Sequence, residues 1–364
     1  MGSKIIFLSK LKVSKKIPHK KKTKEVKPKP NKKVALALWA LGSLLLLIIM
    51  GKGLSLLTNF YNPLTLEYTQ SSHQPWKGQA GFNVVVKSDN LALISIDPQS
   101  KRLTIVKVPP DIYMTLSKGF GSWPARSVFD LGQNENPPIG AGLTKSALSD
   151  LLGVPVDGFI NLSSQKKIED ILVGIRSNPI SLIGLAKDIK SDLAGIEIYR
   201  LYQKIRLIRE DKVKTLDLTN SSISQSELLA DSSRVLGLDN IKLDLFVRDN
   251  LTDFLFTNFD GSFSVYNATS HPGLASQVAR EISNLGGNVI FTSNTTNLSS
   301  KSVVISTKDI SKELLIRLDQ IIPTGCQNKK CEFSDPKVSD SRAQINIIVG
   351  EDYYQKKHDR TAPF

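Results

Sequence analysis

Residues 83–111 read NVVVKSDNLALISIDPQSKRLTIVKVPPD, and their pattern decides the fold. Val84–Val86, Leu91–Ile96 and Leu103–Val108 are runs rich in β-branched and aliphatic residues, each closed by polar ones, as strands are. Asp97-Pro98-Gln99-Ser100 joins the last two, with an acceptor side chain first and a φ-locked proline second, which suits a β-turn. The expected product is a buried hairpin with Asp89 at the start of one strand and Asp111 just past the end of the other. Two carboxylates at the edge of an apolar sheet suit a metal or a proton transfer. An isolated Asp in a loop also serves as a turn former or helix cap.

The chain has 364 residues, more than one hydrophobic core usually serves, so two globular units are expected. Its net charge is +14, and the first 33 residues carry +12 of it through 13 lysines and one glutamate. The remainder, with 35 basic and 33 acidic residues, has no basic footprint of the kind nucleic-acid binding needs. The lysine tail is interrupted by prolines and by no aromatic residue except Phe7, so it lacks a base-stacking surface and reads as disordered. Attraction to anionic headgroups is its expected role.

VALALWALGSLLLLIIMG, residues 34–51, follows the tail without a charge. Together with Leu54–Leu57 it is long enough to cross a hydrocarbon core of ~30 Å. It exceeds a signal-peptide core and no A-x-A-like site follows it, so residues 34–57 read as a single transmembrane helix. Lysines concentrated before it place the tail in the cytoplasm and the rest outside, as a single-pass plasma-membrane protein. Cys326 and Cys331 are the two cysteines; an even count on the outer side favours a disulfide, and a reducing habitat would leave them as thiols. Zinc would need two further ligands.

Residues 58–80 read as a polar linker, and Ser117–Pro138 as a long irregular stretch containing Trp123, Arg126, Phe129 and Asp130. Leu143, Ala147, Leu148, Leu151 and Leu152 trace a helix ended by Gly153, with a strand at Val156–Leu162. A short helix is expected at Lys166–Ile175, another through Ile198–Ile208, a strand at Val213–Leu218, and a capping box at Ser224–Glu227 opening a helix. Beyond Asn250, strands at Ser262–Tyr266, Val289–Phe291, Ser302–Ile305 and Ile345–Val349 alternate with helices at Leu274–Leu285 and Lys312–Ile321. His271, in a loop without a dinucleotide fingerprint, reads as a solvated side chain.

SDNLALISIDPQSKRLTIVKVPPD resembles the strand pair of the LytR-CpsA-Psr family, where an Asp-Thr-type dipeptide opens one strand and Ile-Pro-Arg-Asp closes the other. RSVFDLGQ with LTKSALSDLLGVPVDGFINLS resembles the family's next turn, helix and strand. FSVYNATSHPGLASQVAREISNLGGNVIF and the closing INIIVGEDYY are similar to the LytR C-terminal domain. The resemblance implies an α/β/α layered domain over residues 81–245 and a smaller α/β domain over 262–354, both on the outer face. It also implies transfer of a polyprenyl-pyrophosphate-linked glycan to peptidoglycan. Asp89 and Asp111 would then hold Mg²⁺, and Asp111 would carry the catalysis with Arg126, the one candidate substitute for the family arginines missing here. The match departs at Pro110, which stands where the family has arginine. It departs again at residues 158–187, where only Arg176 remains of an arginine-rich segment; lysine does not replace arginine's planar fork on phosphate. Two readings follow: a transferase with weakened or lost catalysis, or a non-catalytic module that binds glycan or protein in the envelope.

Overall fold

The computed structural model describes residues 62–65, 75–162, 189–219, 222–228, 234–307, 309–327 and 333–360, with isolated helical positions between 168 and 174. The tail, the 34–57 span, most of the Lys166–Ile175 helix, Arg176 and the pairing of Cys326 with Cys331 lie outside the described residues and side chains. Among the described residues no helix is long and apolar enough to cross a membrane. The chain divides into residues 1–55 and 56–364, and everything below concerns the second unit.

The quoted stretch forms β1 (Phe82–Lys87), β2 (Leu91–Asp97) and β3 (Arg102–Val108), each antiparallel to the next. The expected turn is present: Asp97 Oδ1 accepts from the Gln99 amide at 3.1 Å and Asp97 Oδ2 from Ser100 Oγ at 2.7 Å. The expected irregular stretch at 117–138 is instead ordered. A hairpin, β4 (Tyr113–Leu116) and β5 (Gly121–Pro124), leads into helix α1 (Ala125–Gln133). Lys118, Gly119 and Gly121 at positive φ turn that hairpin, in too short a run for periodicity to reveal. Helix α2 (Gly140–Leu152) ends at Gly153, whose φ of 60° is left-handed, as expected. Then come β6 (Gly158–Leu162), β7 (Ile189–Ser191), α3 (Gly195–Leu207) and β8 (Val213–Asp217). The resulting sheet has the order β7-β6-β1-β2-β3-β8.

Ser224–Glu227 opens no helix. It lies in β9 (Ser224–Leu228), paired antiparallel with β10 (Arg234–Leu238). The pairing supplies backbone partners that local capping could only partly replace. The helix begins later, as α4 (Asn240–Asn250), with Asp239 as its cap accepting from Ile241 and Lys242. The expected linker is also partly packed: Trp76 is buried, stacks on Phe82 at 4.5 Å, and donates its amide to Glu197 at 2.7 Å.

After α5 (Phe254–Thr257), a second sheet is built from β11 (Phe263–Asn267), β12 (Val289–Asn294), β13 (Ser302–Ser306), β14 (Thr324–Gln327) and β15 (Ile345–Val349), in the order β12-β11-β15-β13-β14. Helices α6 (Leu274–Asn284), α7 (Lys312–Ile321), α8 (Pro336–Ser339) and α9 (Glu351–His358) complete it. The expected strands and helices beyond Asn250 all occur, α7 with the expected bounds.

Both faces of the first sheet are apolar, which explains the unbroken Val84-Val85-Val86 run. Val84, Ile94 and Ile105 pack against Trp76 and the Leu201 and Ile205 face of α3. Val85, Leu93 and Val106 belong to a cluster with α1 and α2 that continues without a break into Val265, Ile282 and Ile347 of the second sheet. The carbonyls of Asp150, Leu151 and Leu152, which end α2, accept from Arg280 and Asn284 of α6 at 2.7–3.1 Å. These are carbonyls a helix cannot satisfy internally. A Cβ at Gly153 would lie 2.6 Å from Asn284 Nδ2, so close approach as well as φ requires glycine there.

At the centre Arg317 of α7 is fully buried, donating to Asp157 at 2.6 Å and to Asp253 at 2.9 Å. Asp157 also accepts from the Asn83 amide at 2.7 Å, which ties α7 to the start of β1. Removing the cation leaves two buried carboxylates facing each other, so Arg317→Leu should lower stability by ~3–5 kcal/mol in chemical denaturation. Adding Asp157→Asn and Asp253→Asn to that variant should recover part of the loss.

Glu281 of α6 is buried, and burial pushes its carboxyl from 4.5 up to about 7, with Lys357 opposing and Asp150 reinforcing the shift. A carboxyl whose folded value is raised holds its proton longer in the folded state. Its contribution to stability is therefore lost as pH climbs from 4.5 through 7. Glu281→Gln should remove that component of the pH dependence, seen as denaturation midpoints that fall less between those pH values than for the native chain.

Candidate functional site

Strands β1, β3, β6 and β8 run in one direction, so their carboxyl ends share one edge of the sheet. That edge is where open α/β sheets take ligands. An open cleft of about 300 Å³ lies there, lined by Asp89, Lys107, Pro109, Pro110, Asp217 and Thr219 among others. Asp89 sits in the β1–β2 turn, its Oδ1 accepting from Ser88 Oγ at 2.8 Å and the Asn90 amide at 2.9 Å. Asp217 Oδ1 accepts from the amide and hydroxyl of Thr219 at 2.9 and 2.8 Å. Lys107 and Asp217 are register partners across β3 and β8.

Asp111 and Arg126 are brought together as an ion pair past Pro110, both side chains about two-thirds exposed. The local fold dictates this: the Arg126 amide donates to the Pro110 carbonyl at 3.1 Å and the Ala125 amide to that of Ile112 at 2.8 Å. The first turn of α1 is thereby pinned to the end of β3. Neither Asp111 nor Arg126 is among the cleft-lining residues, whereas Asp89 is. Below this edge the space between sheet and helices is filled: Val85, Leu93, Val106 and Phe159 are fully buried, and the Phe129 and Phe159 rings stack at 5.2 Å.

Magnesium fits these residues in one mode only. Among the described residues no three His, Cys, Asp or Glu side chains gather into a ligand set. Asp111 is engaged by Arg126, and Asp89 Oδ1 by its own turn. One or two carboxylates are what magnesium takes from a protein when substrate phosphates and water complete its shell. Asp89 and Asp111 are the carboxylates that could each contribute to such a shell.

Lys107, Asp217 and Thr219 escaped the sequence reading. They sit at the end of a pairing between β3 and β8 that no local pattern announces, although Asp-Leu-Thr carries the turn-forming signature of its Asp. His271 is not simply solvated: its ring stacks on Tyr354 at 3.4 Å and its Nε2 lies 3.2 Å from Glu351.

The fold and cleft define a two-sheet α/β protein with an open polar site at the carboxyl ends of its parallel strands. Residues 262–353 match the family described as LytR cell envelope-related transcriptional attenuator, so the second sheet and its helices form a LytR C-terminal domain. No curated protein matches the chain. Among solved structures, TagT of B. subtilis is similar at 13% identity, covering 51% of this chain and 96% of that chain with a TM-score of 0.35. The transcriptional regulator YvhJ of Bacillus subtilis is similar at 14% identity over 48% of this chain and 98% of that one, with a TM-score of 0.37. The LytR-CPS2A-psr family protein YwtF, with bound octaprenyl pyrophosphate lipid, is similar at 15% identity over 48% and 91%, with a TM-score of 0.34.

An exposed ion pair contributes ~0–1 kcal/mol to stability. Arg126→Ala should therefore leave the denaturation midpoint nearly unchanged, which makes it a clean probe of the site's chemistry.

Proposed function

We propose that the chain is a membrane-anchored cell-envelope protein of the LytR-CpsA-Psr type, working in or alongside the transfer of lipid-pyrophosphate-linked glycopolymers to peptidoglycan. The observation that carries this reading is the Asp111–Arg126 pair, next in sequence to Pro110 of the strand-end cleft that Asp89 lines but outside its lining, in a chain whose residues 262–353 match the LytR C-terminal family. The strand motifs 88–111 supply the family pattern, and the uncharged run 34–51 supplies the anchor.

Transfer forms a bond from a peptidoglycan hydroxyl to the sugar phosphate, the hydroxyl proton passing to solvent, and breaks the bond between the sugar phosphate and the lipid phosphate, on which negative charge gathers as it departs. Arg126 meets that charge with a planar guanidinium, released from Asp111 as the diphosphate enters. Asp89 and Asp111 would be the carboxylates to hold a magnesium ion brought by the donor, and such an ion would supply positive charge beside a cleft whose described lining holds two carboxylates and one lysine. The full-length protein in detergent should transfer glycan from a polyprenyl-pyrophosphate donor to peptidoglycan. Asp111→Ala and magnesium chelation should each abolish turnover. Absence of turnover by the native protein with every donor tried, and donor binding unaltered by Asp111→Ala, would overturn the transferase reading.

A second reading, a non-catalytic envelope module binding glycan or protein, is favoured by Pro110 in place of the family arginine and by the same excess of carboxylates in the cleft. Retention of wall glycan by the full chain, unaffected by chelation and by Asp111→Ala, distinguishes it.

A further inference from the structure

The tip of the β4–β5 hairpin is held by the other end of the chain. Lys118 at that tip has a left-handed φ of 59° and a buried side chain, both unusual for lysine. Such a conformation persists only where its neighbours over-determine it. Those neighbours are the last turn of α9 and the residues just after it. The Lys118 amide donates to the Lys357 carbonyl at 2.9 Å, one of the carbonyls that α9 cannot satisfy internally. Arg360 Nε donates to the Lys118 carbonyl at 3.0 Å, and its guanidinium lies over the Phe120 ring, 4.7 Å from the centroid. Asp359 supplies the charge that opposes the effect of burial on the Lys118 ammonium.

The gripped turn is continuous with the site. Trp123 Nε1 donates to the Phe120 carbonyl at 2.8 Å, which ties the turn to β5. β5 ends at Pro124 and α1 begins at Ala125 with no residue between. The Ala125 and Arg126 amides are bonded to the Ile112 and Pro110 carbonyls, on either side of Asp111. Asp111 therefore precedes β4 and Arg126 follows β5, so the ion pair closes the open end of the hairpin whose tip α9 grips. Ordinary packing of a chain end needs neither a left-handed lysine nor both backbone groups of that one residue engaged.

We propose that the last turn of α9 and Arg360 form a latch on the β4–β5 hairpin, and that Arg360 is a positioning residue that sets Arg126 against Asp111 from the far end of the chain. Its consequence for chemistry rests on the reading of that pair as the group that meets a lipid diphosphate.

Hydrogen exchange on the full-length protein in detergent tests the grip. Arg360→Ala should speed exchange of the Lys118, Ala125 and Arg126 amides about tenfold or more, while those of β11 and β15 stay unchanged. Arg360→Lys keeps a donor for the Lys118 carbonyl without the planar stack on Phe120 and should fall between. Binding of polyprenyl pyrophosphate tests the consequence. Arg126→Ala and Arg360→Ala should each weaken it about fivefold or more, and the double variant should bind no more weakly than Arg126→Ala alone, since Arg360 acts only through Arg126. Unchanged exchange in Arg360→Ala, native binding by that variant where Arg126→Ala loses it, or additive losses in the double variant would each overturn the proposal. If the native protein binds no polyprenyl pyrophosphate, or Arg126→Ala binds it as well as the native chain does, the reading of the pair falls, and exchange at Ala125 and Arg126 alone decides the latch. Arg360 is exposed, so an unchanged denaturation midpoint for Arg360→Ala separates a loosened hairpin from a general loss of fold.

Discussion

Arg317 is the constraint on which the folded unit turns. A guanidinium buried to 1% exposure is tolerable only with its charge matched and its donors occupied, and Asp157, Asp253 and Gln320 do both. Each partner belongs to a different part of the structure. Asp157 leads into β6 and grips the β1 amide at Asn83; Asp253 caps α5 between the two sheets. Both carboxylates hold the guanidinium's charged form, outweighing a burial that alone would favour its loss. The pair specifies register more than it adds stability, because a slip by one residue would strand a charge in the core.

From that anchor the rest is continuous packing. Arg280 and Asn284 close the open end of α2, and Lys357 of α9 pairs with Asp150 on the same helix. The LytR C-terminal domain is thus not a separate bead on a linker. Its side chains satisfy the backbone of the sheet layer that carries the cleft, and the apolar cluster passes from Val85 to Val349 without interruption. A rigid sheet is what holds Asp89, Lys107 and Asp217 at one edge, while the tighter turns around Pro109 and Pro110 aim Asp111 at Arg126.

The sequence by itself determined the strands around Val85, Leu93 and Val106, the turn at Asp97, the αL stop at Gly153 and the span of α7, because period, turn chemistry and capping are local properties. A family pattern singled out Asp111, and Arg126 entered only as a substitute for arginines the sequence lacks; their pairing is a tertiary result. Local pattern misread residues 117–138, which form the second strand of a hairpin and the nine-residue helix α1, and 224–227, where a short strand gains its stability from a partner that local propensity does not see. Tertiary structure alone decided that Lys107 falls in register with Asp217, that His271 stacks on Tyr354, and that Asp157 and Asp253 close on Arg317. These are contacts between residues tens to hundreds of positions apart, fixed by the desolvation of charge and the pairing of distant strands, and no periodicity along the chain records them.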